Sequence, residues 1–405
     1  MPTLPTYCRS AAERPDRAAL KLDDRELSHA ARDAAAARVA GLLPAKGLTG
    51  DSWHYRASEQ TRQVAYHEGA VGSAPTAITP AAAHLNTRTN TMRSTNEIAT
   101  PTRTTLRIRT ASGDEIEAWV YRPEGVGPHP AIVLAHGFAA VKAGGLAPFA
   151  EEFCREGCLA IAFDYRQWSG STGEPRDEVS VPRQREDYRT VLDWAFAQPD
   201  VDPTRVVVWG TSFSGLHAVE IAATDARLCA AIAQCPLVDG LAGVTMVPPG
   251  RSLRLFGVGL WDRVGALLGR PPRYIPAGVA PGEFGFIANA QAVEGLDIIR
   301  PKDGSEWHNR VAARSVLGIA AHRPVRKAAD IRCPILVVVA EEDTIAPKAP
   351  ALRVAERAPK GELYRSRGGH YGTYEGGVDY DNVLHVEIEF LHRHVQAPAG
   401  SGASV

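Results

Sequence analysis

The 405-residue chain has no surplus of charge of either sign: 45 Lys and Arg stand against 46 Asp and Glu. Nothing global therefore draws it to nucleic acid or to an anionic membrane, although a local basic patch would not show in such a total. No apolar run is long enough to span a bilayer, so membrane insertion is not expected, and the opening MPTLPTYCRSAAERPDR has no secretory h-region. The six cysteines (Cys8, Cys154, Cys158, Cys229, Cys235 and Cys333) form no CxxC pair and no Cys/His zinc spacing. They are expected as buried thiols, with Cys154 and Cys158 one turn apart on a helix. These absences lead to the expectation of a reduced cytoplasmic enzyme that uses no metal or cofactor; a homodimer is a possible state that the sequence does not decide.

What is there changes character near residue 100. Residues 28–43 are an Ala-rich helix former, and residues 51–103 are polar, rich in Thr and Ala and without periodicity, as expected of a disordered linker. Met92 is a second candidate start, just ahead of the first strand. From Leu106 the pattern becomes regular. LRIRT and EIEAWVYRP read as two antiparallel strands turned at Ser112-Gly113-Asp114. AIVLAHG, CLAIAFDY, RVVVWG, LCAAIAQCP and PILVVVA are short apolar runs of the buried parallel type. Helical stretches alternate with them at 146–156, 182–197, 213–224 and 348–358, and a last strand, ELYRS, precedes a helix at 380–395. This order predicts a doubly wound, mostly parallel α/β sheet over residues 104–397, with a disordered tail at 398–405. The alternation breaks at about 237–310, which is rich in Pro and Gly but carries Leu253, Leu255, Phe256, Trp261, Phe284, Phe286 and Trp307. A structureless loop that long would be unusual, so a helical cap over the site is expected.

The central chemical signal is VVVWGTSFSG, in which a buried strand runs straight into a helix. Small residues two before and two after the apex let strand and helix close up and throw the apex side chain outward. Ser212 is that apex, flanked by Gly210 and by Ser214, where Gly is usual. Ser214 is the rival nucleophile, but Leu216 stands where it would need a small residue. A serine hydroxyl needs a general base, and His370, in RGGHYG after the last strand, is the candidate. The imidazole needs a carboxylate on its other nitrogen, which Asp343, at the end of ILVVVA, can supply. Glu342 is the nearest rival acid and His308 the decoy histidine. Backbone N–H groups for a developing oxyanion are expected from Phe213, just after Ser212, and from Phe138, after the His136-Gly137 turn. Asp164 and Arg166 are expected to pair with each other, and Trp168 and Trp261 to line the substrate cleft.

With these residues in hand, residues 104–397 resemble the α/β-hydrolase superfamily. HGFAAVKAGGLAPFAEEF, FDYRQWSGSTGEPRDEV, DYRTVLDWA, PDVDPTRVVVWGTSFSG and GGHYGTYEGG are similar to the dienelactone-hydrolase-like and peptidase-like serine hydrolases that include trans-acting polyketide transferases. The resemblance implies catalytic roles for Ser212, Asp343 and His370 and oxyanion roles for Phe138 and Phe213. True dienelactone hydrolases use Cys at the apex, so Ser212 argues against that activity. Residues 10–50 resemble the opening of adenylate-forming acyl-CoA ligases. The ATP-handling segments of that family are absent, so no ligase activity is implied. The leading expectation is hydrolysis of a small-molecule carboxylic ester or thioester through an acyl-Ser212 intermediate. An acyltransferase would share that intermediate, a peptidase would need an acidic site for a peptide amine, and a non-catalytic binding protein would leave a fluorophosphonate probe unreacted.

Overall fold

The computed structural model describes residues 101–395; the expectations for residues 1–50, for the linker up to residue 100 and for the tail at 398–405 lie outside them. The chain opens with β1 (Arg103–Arg109) and β2 (Glu115–Tyr121), followed by β3 (His129–Ala135), α1 (Ala147–Arg155), β4 (Leu159–Phe163), α2 (Val181–Phe196), β5 (Val201–Thr211), α3 (Phe213–Ala222) and β6 (Ala230–Gln234). A long excursion then carries α4 (Gly240–Thr245), α5 (Pro249–Leu267), β7 (Tyr274–Ile275), β8 (Gly278–Val279), β9 (Ile287–Ala288), α6 (Ala290–Ile299), β10 (Val311–Ala312) and α7 (Val316–Ile319). The main sheet resumes with β11 (Ile335–Ala340), α8 (Lys348–Arg357), β12 (Gly361–Ser366) and α9 (Tyr380–His394).

The eight-stranded sheet has the order β1-β2-β4-β3-β5-β6-β11-β12. Only β1–β2 and β2–β4 pair antiparallel, and every later neighbour is parallel. This is the α/β-hydrolase fold. Its inner strands are continuous Val, Ile, Leu and Ala runs because both faces are covered, so no polar alternation survives. Successive residues go to opposite faces: Ala131, Val133 and Ala135 pack with α2 and α3, whereas Ile132 and Leu134 pack with α1 and α9. Beneath β5, the fully buried Glu387 of α9 accepts the Trp209 indole N–H at 2.9 Å. Burial pushes its carboxyl up to about 8, so the group sits there as a neutral acid near pH 7.

The excursion between β6 and β11 is the cap. It is more than helices: β7 pairs with β10 and β8 with β9, forming two small ribbons. Two local expectations are corrected. Cys158 lies beyond the end of α1, at the start of β4, because the helix stops at Arg155 and turns through Gly157 at φ 85°. Asp164 and Arg166 do not pair with each other. Asp164 takes the backbone N–H and the ammonium of Lys142, and Arg166 binds Asp187. Consecutive loop residues point apart, and each ion finds its counter-ion on a segment some twenty residues away.

Candidate active site

The elbow follows from its small residues. Ser212 sits at φ 55°, ψ −116°, between the last residue of β5 and the first of α3. A left-handed backbone at a non-glycine residue is strained and persists only where its surroundings hold it. Here the Ser212 N–H donates to the Gln234 carbonyl, and the Ser212 carbonyl accepts from Gly215 and Leu237. A Cβ on Gly210 would come within 2.4 Å of the Ser214 carbonyl oxygen, and one on Gly215 within 2.4 Å of Pro236. Strand, helix and following loop therefore close only around hydrogens. Ser214 fits the place usually held by glycine because its hydroxyl turns inward and donates to the Ala135 carbonyl at 2.5 Å and the Thr211 carbonyl at 3.0 Å. Fully buried and committed to both, it faces away from any substrate.

The Ser212 hydroxyl lies 2.9 Å from Nε2 of His370, and Nδ1 of His370 lies 2.7 Å from Oδ2 of Asp343. The other oxygen of Asp343 accepts the N–H groups of Ile345 and Ala346, which fixes the carboxylate's direction. Its exposed neighbour Glu342 takes no part in this array. His308 lies elsewhere, 3.8 Å from Asp177.

The Phe138 and Phe213 side chains meet edge to face at 5.5 Å, so the two loops expected to supply oxyanion donors are adjacent. As the first residue of α3, Phe213 has an N–H that no earlier turn of the helix can use. Gly137, just before Phe138, is tightly placed: a Cβ there would sit 3.0 Å from Cβ of Ser212. Asp164 braces this loop from behind through Lys142, whose ammonium also reaches Glu117 at 2.8 Å. Burial opposes the Lys142 charge, but the two carboxylates more than offset it and hold the group above its ordinary range.

Motif reasoning missed the cap's share in the site. Gln291, on α6, accepts the N–H groups of His370 (3.2 Å) and Thr344 (3.1 Å) and donates to the Glu342 carbonyl (2.7 Å). One side chain thus joins the loop of the histidine to the loop of the acid. Gly369 has no room for a Cβ because Gln291 fills that space. From the same cap, Phe286 stacks on Phe138 at 4.2 Å and Trp307 donates to the Ala139 carbonyl at 2.8 Å. No motif marks a lone glutamine, and its only sequence signal is the paired glycines before His370. Gln291→Leu is expected to lower kcat roughly 10- to 100-fold with little change in KM, since it loosens geometry without touching substrate. Gln291→Glu keeps the acceptor for both N–H groups but loses the donor to the Glu342 carbonyl, so it should recover only part of that loss. Steady-state kinetics on both variants checks this.

The two tryptophans differ from expectation. Trp168 is sealed in the core, its indole donating to the Glu178 carbonyl at 3.0 Å, because positive φ at Gln167 and Ser169 turns the ring inward. Trp261 is 64% exposed on the outward side of α5. Cys235, Asp343 and His370 place potential ligand atoms within 4.8 Å of one another. Histidine and aspartate are already bonded together, and burial pushes the Cys235 thiol far up, so it stays protonated and a poor ligand.

Fold and site define an enzyme of the α/β-hydrolase class. The model of the X-Pro dipeptidyl-peptidase (S15) family matches residues 112–372, and the chain belongs to that family. It is 37% identical over 291 residues to the quorum-quenching protein AidA of Acinetobacter baumannii (strain MDR-ZJ06), covering 72% of this chain and 95% of that one. It is 27% identical to the polyketide transferase ATR5 of Stachybotrys chlorohalonatus (strain IBT 40285), over 73% of this chain and 99% of the relative. Among solved structures, the α/β hydrolase GrgF from Penicillium sp. sh18 superposes with a TM-score of 0.63 at 26% identity, over 73% of this chain and all of that one. Among the described residues no helix is long and apolar enough to cross a membrane.

Proposed function

We propose that this enzyme cleaves a carboxylic ester or thioester through an acyl-Ser212 intermediate. The observation that carries the reading is the continuous hydrogen-bonded array from Asp343 through His370 to the Ser212 hydroxyl. His370 takes the hydroxyl proton through Nε2 as Ser212 attacks the acyl carbon, and Asp343 stabilises the resulting imidazolium at Nδ1. The N–H groups of Phe138 and Phe213 receive the charge that develops on the acyl oxygen. The tetrahedral intermediate collapses and expels an alkoxide or thiolate, which takes the proton back from His370. Water, deprotonated by the same imidazole, then attacks the acyl-enzyme and frees Ser212. Cys235 is a poor rival nucleophile, being buried and held as a neutral thiol.

The family's name suggests a dipeptidyl-peptidase, which needs a carboxylate for the substrate's α-amine. Asp343 is fully committed to His370, Ile345 and Ala346 and does not serve as that carboxylate. A second reading, acyl transfer to an alcohol or amine, is favoured by the stacking of cap residue Phe286 over Phe138, an apolar cover that can hold water back from an acyl-enzyme. The test is pre-steady-state kinetics with p-nitrophenyl esters. A burst equal to the enzyme concentration is expected, followed by slower turnover. Turnover that accelerates with added alcohol or amine, at the expense of free acid, identifies a transferase. Absence of both burst and fluorophosphonate labelling would remove Ser212 from the mechanism.

A further inference from the structure

Ten of the fourteen large apolar side chains exposed among the described residues lie between Leu241 and Leu268. Most belong to α5. Its inner register is fixed: Leu255, Gly259 and Asp262 are buried, a Cβ on Gly259 would clash with Val316, and Asp262 is held by Arg314 at 2.8 Å. The opposite register, at the three- and four-residue spacing of one helix face, is apolar throughout: Leu253, Phe256, Leu260, Val264 and Leu267, with Trp261 alongside, at 46% to 76% exposure. A monomer that leaves such a stripe to water normally has a use for it.

The stripe is edged with positive charge. Residues 249–273 hold five arginines and one acid, and that acid is the inward-turned Asp262. By helical spacing Arg254 lies on one border of the stripe and Arg263 on the other, with Arg270 just beyond the C-terminus of α5. Among the described residues no carboxylate pairs with these three, and Arg254 lies over the Phe284 ring at 4.0 Å. A whole-chain charge near zero conceals this local excess. A second copy is a poor occupant, because two-fold pairing would bring arginine-bordered edges together with no exposed acid on the helix to answer them.

We propose that the outer face of α5 docks on an anionic lipid surface, the helix lying in the plane of the interface with its apolar stripe among the acyl chains and its arginines at the phosphates. The cap that carries this helix also carries Phe286 and Gln291, which touch the site, so docking would bring the site close to a reservoir of acyl compounds. The docking itself does not depend on what Ser212 cleaves.

The test is co-sedimentation of the full chain with vesicles containing phosphatidylglycerol and with vesicles of phosphatidylcholine alone. Retention on the anionic vesicles is expected, with binding at least roughly tenfold weaker on the neutral ones. Arg254→Glu with Arg263→Glu should weaken anionic binding by about 100-fold, and Leu260→Asp with Val264→Asp should abolish it. Both double variants should hydrolyse a soluble short-chain ester like the parent, which shows that they fold. Failure of the parent to bind anionic vesicles, or undiminished binding by the Leu260→Asp, Val264→Asp variant, overturns the proposal. So does a parent dimer, seen by light scattering, that this variant splits into monomers while vesicles retain neither.

Discussion

Ser212→Ala is expected to reduce turnover of p-nitrophenyl esters by about 10⁴- to 10⁶-fold while leaving the fold intact. The hydroxyl bonds to Nε2 of the buried His370, so its removal deletes the nucleophile and unpairs only that one ring nitrogen, while Asp343 still holds the ring through Nδ1. The backbone contacts that hold the elbow, from Gln234, Gly215 and Leu237, use main-chain atoms and survive the change. Ser214→Ala is the informative contrast. It removes the one hydroxyl donor shared by two buried carbonyls and should cost about 1–3 kcal/mol of stability, yet leave most of the turnover. A panel of esters of increasing chain length, run on the parent and both variants beside thermal melts, separates the two effects. Comparable activity in Ser212→Ala would mean that another nucleophile does the chemistry.

Asp343→Asn should be nearly as severe, about 10⁴-fold in kcat. The carboxylate now accepts from Nδ1–H of His370, which leaves Nε2 free to take the serine proton. An amide can turn its NH₂ toward Nδ1, forcing the proton onto Nε2 and leaving the imidazole unable to act as a base. The carbonyl of the new side chain can still accept from Ile345 and Ala346, so the loop should hold. Glu342→Gln is the matched control and should behave like the parent, because that side chain is exposed and bonds to no part of the array. Equal losses in the two variants would point to loop disruption rather than to a lost orienting charge.

Much of the fold was legible because its signals are local. Continuous apolar runs between helical stretches can hardly be read as anything but a doubly covered parallel sheet, and the tight strand-to-helix turn at Ser212 requires small residues at fixed offsets. The meeting of Ser212, Asp343 and His370 could be anticipated because each follows a strand whose place in the sheet is set by the fold's winding. What escaped depended on non-local partners. Lys142 and Asp187 claim Asp164 and Arg166 from segments that no spacing rule connects to them. The inward turn of Trp168 rests on two left-handed residues that composition does not announce. Gln291 acts from a cap whose apolar content was visible but whose path was not.

That glutamine has a consequence for how the enzyme is armed. Its three hydrogen bonds run from the excursion to the two loops that carry acid and base, so the register of Asp343 and His370 is set partly by a segment outside the main sheet. A change in the packing of α6 would therefore be felt at the array without any substitution in Ser212, Asp343 or His370.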